Sequence, residues 1–142
     1  LIPEVTGIIQ ELWNNGWERT CEKPLRIFYV SRCYRYERPQ LGRYREFTQL
    51  GVELLGKKAP EDKEEILKVF QECLDKVPNL SYNIELLVKR GLDYYIEDGF
   101  EAECSNLGAQ KQIAGGGRYK EGIGFALGID RILLASSDER ID

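Results

Sequence analysis

The 142-residue chain contains no histidine and no methionine. Without an imidazole there is no histidine to act as general base, which excludes that whole mode of acid-base catalysis. Cysteine is sparse as well. Cys21, Cys33, Cys73 and Cys104 form no CxxC pair and have no histidine to complete a zinc site, so they read as free buried thiols of a reducing cytoplasm. No apolar run approaches the length of a membrane span, and there is no basic-then-apolar leader. With no initiator methionine either, the expectation is a chain that begins inside a longer protein. A net charge of −4 argues against non-specific DNA binding, so an anion site has to be built locally.

What is present fits one soluble globular domain over residues 1–142: 42% hydrophobic and 31% charged residues leave enough apolar surface for a single core. Val5, Ile8, Ile9, Leu12 and Trp13 recur at helical spacing and predict an amphipathic helix over 3–14. Residues 25–37 and 45–56 are rich in β-branched and aromatic residues around a Pro/Gly loop and predict a long hairpin. Residues 60–76 open on Pro60 and three acids, carry Ile66, Leu67, Phe70 and Leu74 on one stripe, and predict a second helix. Beyond Pro78, LDYY, FEAEC and QKQIAG read as short strands, and GFALGIDRILLASS as a strand turning at Gly128 into a closing helix. The fold class is α+β, an antiparallel sheet flanked by helices.

The hairpin has a register that matters. Side chains alternate along a strand, so Arg35 and Glu37 share one face, and Phe47, Gln49, Gly51 and Glu53 share one face of the returning strand, while Leu50, Val52 and Leu54 point to a core. On pattern alone the polar side reads as the solvent face of an antiparallel sheet. The loop shifts that reading, because six arginines against one acid in residues 26–45 make a local anion trap, and guanidinium forks suit phosphate oxygens. A carboxylate on the sheet beside an arginine lip suggests a zwitterionic substrate next to a phosphate. Gly51 inside a strand suggests a close approach of ligand to backbone. Downstream, AGGGRYKEGIGFALGIDR at 114–131 is dense in glycine, yet its spacing does not match a dinucleotide fingerprint and no P-loop sequence is present. Those glycines mean either close approach to a ligand or tight packing.

Together these clusters resemble the histidyl-tRNA synthetases, a class II aminoacyl-tRNA synthetase family. PEVT at 3–6 is similar to the family's ammonium-binding segment, and YRYERPQLGRYREFTQLGVELLG, within 25–56, to class II motif 2. RGLDYY at 90–95 and AGGGRY at 114–119 resemble the two histidine-specific motifs, and GFALGIDR, within 123–138, resembles motif 3. The resemblance implies a histidine-tRNA ligase core that joins histidine to ATP as histidyl-adenylate, releases pyrophosphate, and passes histidine to the acceptor end of tRNA(His). It implies ATP with Mg²⁺ carried on the phosphates rather than on Cys or His ligands, and a homodimer.

By the same resemblance, Arg35 and Arg90 are the catalytic arginines. Arg35, Glu37, Arg43, Phe47 and Arg131 hold ATP: Arg35 on the α-phosphate, Glu37 on the adenine amino group, Arg43 on the outer phosphates, with Phe47 and Arg131 on either side of adenine. Glu4, Thr6 and Gln49 take the histidine ammonium, Glu53 with Tyr95 holds the imidazole, Arg90 bridges the substrate carboxylate and α-phosphate, and Tyr94, Gly116 and Tyr119 complete the amino-acid pocket. The resemblance breaks at residues 57–89, where one helix and a linker, the remnant of an insertion, stand for the family's inserted domain. It breaks again at KEG between AGGGRY and GFALG, at Ile96 and at Thr48. Motif 1 and the anticodon-binding domain are not represented. A non-catalytic paralogue, the regulatory subunit of ATP phosphoribosyltransferase or a tRNA- or histidine-sensing module, is the alternative.

Overall fold

The computed structural model describes residues 4–35, 46–108 and 110–137. It is a six-stranded antiparallel sheet in the order β1-β2-β6-β5-β4-β3, built from β1 (Leu25–Tyr34), β2 (Glu46–Leu55), β3 (Asn83–Val88), β4 (Gly99–Glu103), β5 (Gln112–Arg118) and β6 (Gly122–Gly128). Its helices are α1 (Thr6–Leu12), which runs through a π-helical turn at Trp13–Trp17 into the single turn α2 (Glu18–Thr20), then α3 (Glu61–Asp75) and α4 (Ile129–Ser136). The expected α+β class and the β1–β2 hairpin are observed.

Two segments differ from the sequence expectation. LDYY is not a strand; it lies in a turn whose one sheet-like contact is the bridge between Tyr95 and Tyr119. Residues 83–88, expected in a linker, form the edge strand β3 instead, with a bulge between Leu86 and Val88 and Leu87 at φ 60°.

The register separates the two faces of the sheet, because residues paired across strands point the same way. Val52, Phe125, Gly116, Phe100 and Leu86 form one row across β2, β6, β5, β4 and β3 on the core face. Helix α3 packs there through Ile66, Phe70 and Leu74, a stripe at four-residue spacing, all buried. Phe70 sits 5.0 Å from both the Phe100 and Phe125 rings in edge-to-face contacts, over the position where Gly116 has no side chain. A Cβ at Gly116 would strike the Gly124 carbonyl and Phe125.

The opposite face carries Tyr29, Gly51, Ala126, Gly115 and Glu101 in one row, with Ile27, Glu53, Gly124 and Gly117 in the next. Small residues in the middle of both rows leave a shallow floor. At one end α1 and its π-helical turn close over that floor, where Ile9 and Trp13 pack on Leu55 and Tyr119. Glu53 is therefore deeply buried, at 1% exposure, rather than on a solvent face.

Candidate active site

The floor divides into a buried carboxylate cluster and an open cavity. In the cluster, Glu53 on β2 accepts hydrogen bonds from the hydroxyls of Thr6 (2.9 Å), Tyr29 (3.0 Å) and Tyr119 (2.9 Å). Burial pushes the Glu53 carboxyl up to about 7, and the three donors only partly offset it. Burial and the neighbouring carboxylate raise the Tyr29 and Tyr119 phenols, so both remain protonated donors. Glu4 lies at the entrance of α1, accepting from the Gly7 amide (3.1 Å) and from the Tyr94 hydroxyl (3.1 Å). The local sequence explains the placement: Thr6 opens α1, Tyr29 and Glu53 share a face of the hairpin, and Tyr119 ends the glycine run.

The cavity, of about 490 Å³, opens beside this cluster. Arg35, Phe47 and Gln49 line it from the hairpin, Arg90 from the turn after β3, Gly115 from β5, and Arg131 from α4. Glu101 and Asp130 add negative charge to a wall otherwise rich in guanidinium. The Arg35 guanidinium lies over the Phe47 ring at 4.8 Å, and Arg131 donates to the carbonyls of Gln110 and Gln112. Asp130 accepts from the Thr48 amide at 2.7 Å, fixing α4 against β2.

Arg35, Phe47, Gln49, Arg90 and Arg131 thus meet in one cavity, while Glu4, Thr6, Glu53, Tyr94 and Tyr119 belong to the adjoining network. Glu37 and Arg43 lie outside the described residues. The Tyr95 ring lies over Gly117 and under the Arg90 guanidinium, 5.4 Å away, and the three hydroxyls on Glu53 are those of Thr6, Tyr29 and Tyr119. Gly116, expected in an amino-acid pocket, faces the core between Phe100 and Phe125 instead of the cavity side, since strand alternation sends it to the side opposite Gly115 and Gly117.

Gly51 makes room for the Tyr29 ring, and Gly124 for the Glu53 carboxylate. Tight packing of protein on protein therefore accounts for glycines whose sequence context also suggested ligand approach. Tyr29 and Glu101 are the residues that sequence reasoning missed. The signal for Tyr29 was its register opposite Gly51, a large ring facing an absent side chain across a hairpin.

A family model described as histidyl-tRNA synthetase matches residues 17–86. The histidine–tRNA ligase of Natranaerobius thermophilus is 26% identical over 222 residues, taking in 84% of this chain and 53% of that protein. The apo histidyl-tRNA synthetase of S. aureus superposes with a TM-score of 0.75 at 26% identity, covering 100% of this chain and 53% of that one.

The chain is histidyl-tRNA synthetase-like in sequence and fold. A third structure, titled an ATP phosphoribosyltransferase regulatory subunit/histidyl-tRNA synthetase from Bacillus halodurans C, has a TM-score of 0.73 at 16% identity over 97% of this chain and 65% of that one, a likeness of fold alone. This histidyl-tRNA synthetase-like chain spans about half the length of the full-span relatives it matches. Its match to the Natranaerobius protein takes in about 119 of its own 142 residues (84%) across 222 aligned positions, so about a hundred positions of the relative have no counterpart within the matched span.

Proposed function

We propose that the chain activates histidine with ATP, forming histidyl-adenylate and pyrophosphate, and that the adenylate is the donor for tRNA(His). The observation that carries this reading is the convergence of Arg35, Gln49, Arg90, Gly115 and Arg131, from four separate stretches of sequence, on one cavity beside a buried carboxylate. A carboxylate attacking the α-phosphorus in line needs no side-chain nucleophile. It needs two anions aligned and their charge neutralised, and guanidinium groups gathered around one cavity do both. The absence of histidine from the chain is no obstacle to that chemistry.

In this reading Arg35 and Arg90 hold the α-phosphate, and Arg90 also holds the histidine carboxylate. Glu37, Arg43, Phe47 and Arg131 hold the rest of ATP, with Mg²⁺ carried on its phosphates to neutralise charge that the arginines do not reach. Glu4, Thr6 and Gln49 take the ammonium group. Glu53, with Tyr119 and Tyr29 already set around it, holds the imidazole together with Tyr95. A carboxyl at about 7 is matched to that partner, because imidazole titrates in the same range and the pair can share one proton.

The described residues fit such a ligand set in two respects. The cavity volume suits a nucleotide-sized group, and its arginines outnumber its acids. Incubation with histidine, ATP and Mg²⁺ followed by mass spectrometry tests the proposal, with histidyl-adenylate and pyrophosphate as expected products. Calorimetric binding of histidine without adenylate would transfer the chain to the sensing alternative, and no histidine binding would refute both.

A further inference from the structure

We propose that Glu101 is a positioning residue for Arg90, holding its guanidinium flat on the sheet in the pose that adenylate formation uses. The inference rests on the synthetase reading for its catalytic consequence, and on geometry alone for the positioning itself. Arg90 comes from the irregular segment between β3 and β4, so its own backbone does not fix where its side chain lies. The side chain reaches across two regular strands instead. A Cβ at Gly99 on β4 would strike its aliphatic stem, and a Cβ at Gly115 on β5 would strike its guanidinium.

Those two glycines and the Tyr95 ring form a slot, and Glu101 closes its end with a 2.8 Å ion pair to the Arg90 Nη1 group. Glu101 stands on β4 directly opposite Gly115, which makes the anchor part of the rigid sheet. Both side chains are largely buried, at 14% and 18% exposure, and both line the cavity.

Stability alone does not explain the pair. Removing two charges from water is costly, and a well-packed apolar pair would serve a core as well or better. What the pair supplies is a fixed guanidinium. Glu101 engages the Nη1 group and the buried Nε–H has no hydrogen-bond partner, so the guanidinium is pinned from one side while its cavity-facing N–H groups keep donor capacity for an incoming anion. Sharing the guanidinium with Glu101 also tempers ground-state anion binding, so that it acts where charge develops rather than as a sink for any phosphate.

The test compares wild type with Glu101→Gln, which keeps size and an acceptor but loses the charge, and with Glu101→Ala. Nitrogen-15 spectra of the arginine side chains, with the Arg90 Nε–H signal assigned by its loss in Arg90→Lys, report the positioning directly and need no ligand. A protected, slowly exchanging Arg90 signal is expected in wild type, weakened in Glu101→Gln and averaged with solvent-exposed arginines in Glu101→Ala. In pyrophosphate exchange, Glu101→Gln is expected to lower turnover by about a hundredfold, the scale of a small misplacement of a reacting group, with the KM for ATP unchanged or lower.

An Arg90 signal indifferent to both substitutions overturns the proposal, as does turnover within about twofold of wild type. Should wild type itself show no exchange, the synthetase reading fails while the spectra still decide what Glu101 does.

Discussion

Replacing Glu53 by Gln should make the protein more stable above neutral pH and remove a slope from its pH-stability curve. Glu53 is 1% exposed, and burial raises its carboxyl from 4.5 to about 7 despite hydroxyl donors from Thr6, Tyr29 and Tyr119. The sign follows from proton counting. Between pH 4.5 and 7 the unfolded chain has lost this proton while the folded chain keeps it, so raising the pH favours unfolding by about 1.4 kcal/mol per unit, roughly 3 kcal/mol in all. Stability from this group is full below pH 4.5 and is lost as pH rises towards 7.

Other shifted carboxyls act elsewhere on the scale. Hydrogen bonds and charge from Arg26 and Lys57 hold Glu65 at about 2. Burial pushes Asp62 up, but its bond to Arg118 outweighs that and lowers it. Both contribute stability that is lost as pH falls below the ordinary carboxylate range, so the window from 4.5 to 7 belongs to Glu53. Urea melts from pH 4 to 8 read the effect: wild type should lose roughly 3 kcal/mol across the window, and Glu53→Gln should stay level there. Wild-type stability that is flat or rising over that range, or an equal slope in the variant, would falsify the account of the buried carboxylate.

Other outcomes follow from the same geometry. Arg90→Ala should lower pyrophosphate exchange by at least about a hundredfold with an unchanged circular dichroism spectrum, since one lost oxyanion-type contact is worth a few kcal/mol. Phe70→Ala empties the space over Gly116 between Phe100 and Phe125 and should cost about 3–5 kcal/mol in a chemical denaturation experiment. Asp62→Ala removes two bonds of 2.6 and 2.9 Å from the Arg118 guanidinium, leaving it the Glu97 ion pair at 3.0 Å, and should destabilise by about 1.5–3 kcal/mol by the same measurement. Gly51→Ala drives a methyl into the Tyr29 ring and should break the Tyr29–Glu53 bond, which tyrosine fluorescence or a shifted Glu53 titration detects.

Much of this architecture was legible in sequence where periodicity and burial agree. Helix α3 carries a stripe of buried Ile66, Phe70 and Leu74, and the hairpin alternates between a polar row and Leu50, Val52 and Leu54. Edge strand β3 was not legible, because four of its six positions are exposed and a bulge at Leu87 breaks the alternation. LDYY has the composition of a strand but folds as a turn held through Tyr95 and Tyr119, a tertiary contact with no local signature.

The polar row through Glu53 was visible, but its burial was not, since that depends on α1 closing over the far end of the sheet. The glycines were the hardest to interpret. Gly115, Gly116 and Gly117 stand next to one another, yet they make room for Arg90, Phe125 and Tyr95 respectively, on two faces of the sheet.

The central claim is histidine activation in the cavity where Arg35, Arg90 and Arg131 meet. Pyrophosphate exchange into ATP, run with each of the twenty amino acids in turn, tests it most directly. Exchange supported by histidine and abolished by Arg90→Ala is the predicted result; no exchange with histidine, or equal exchange with other amino acids, would contradict it.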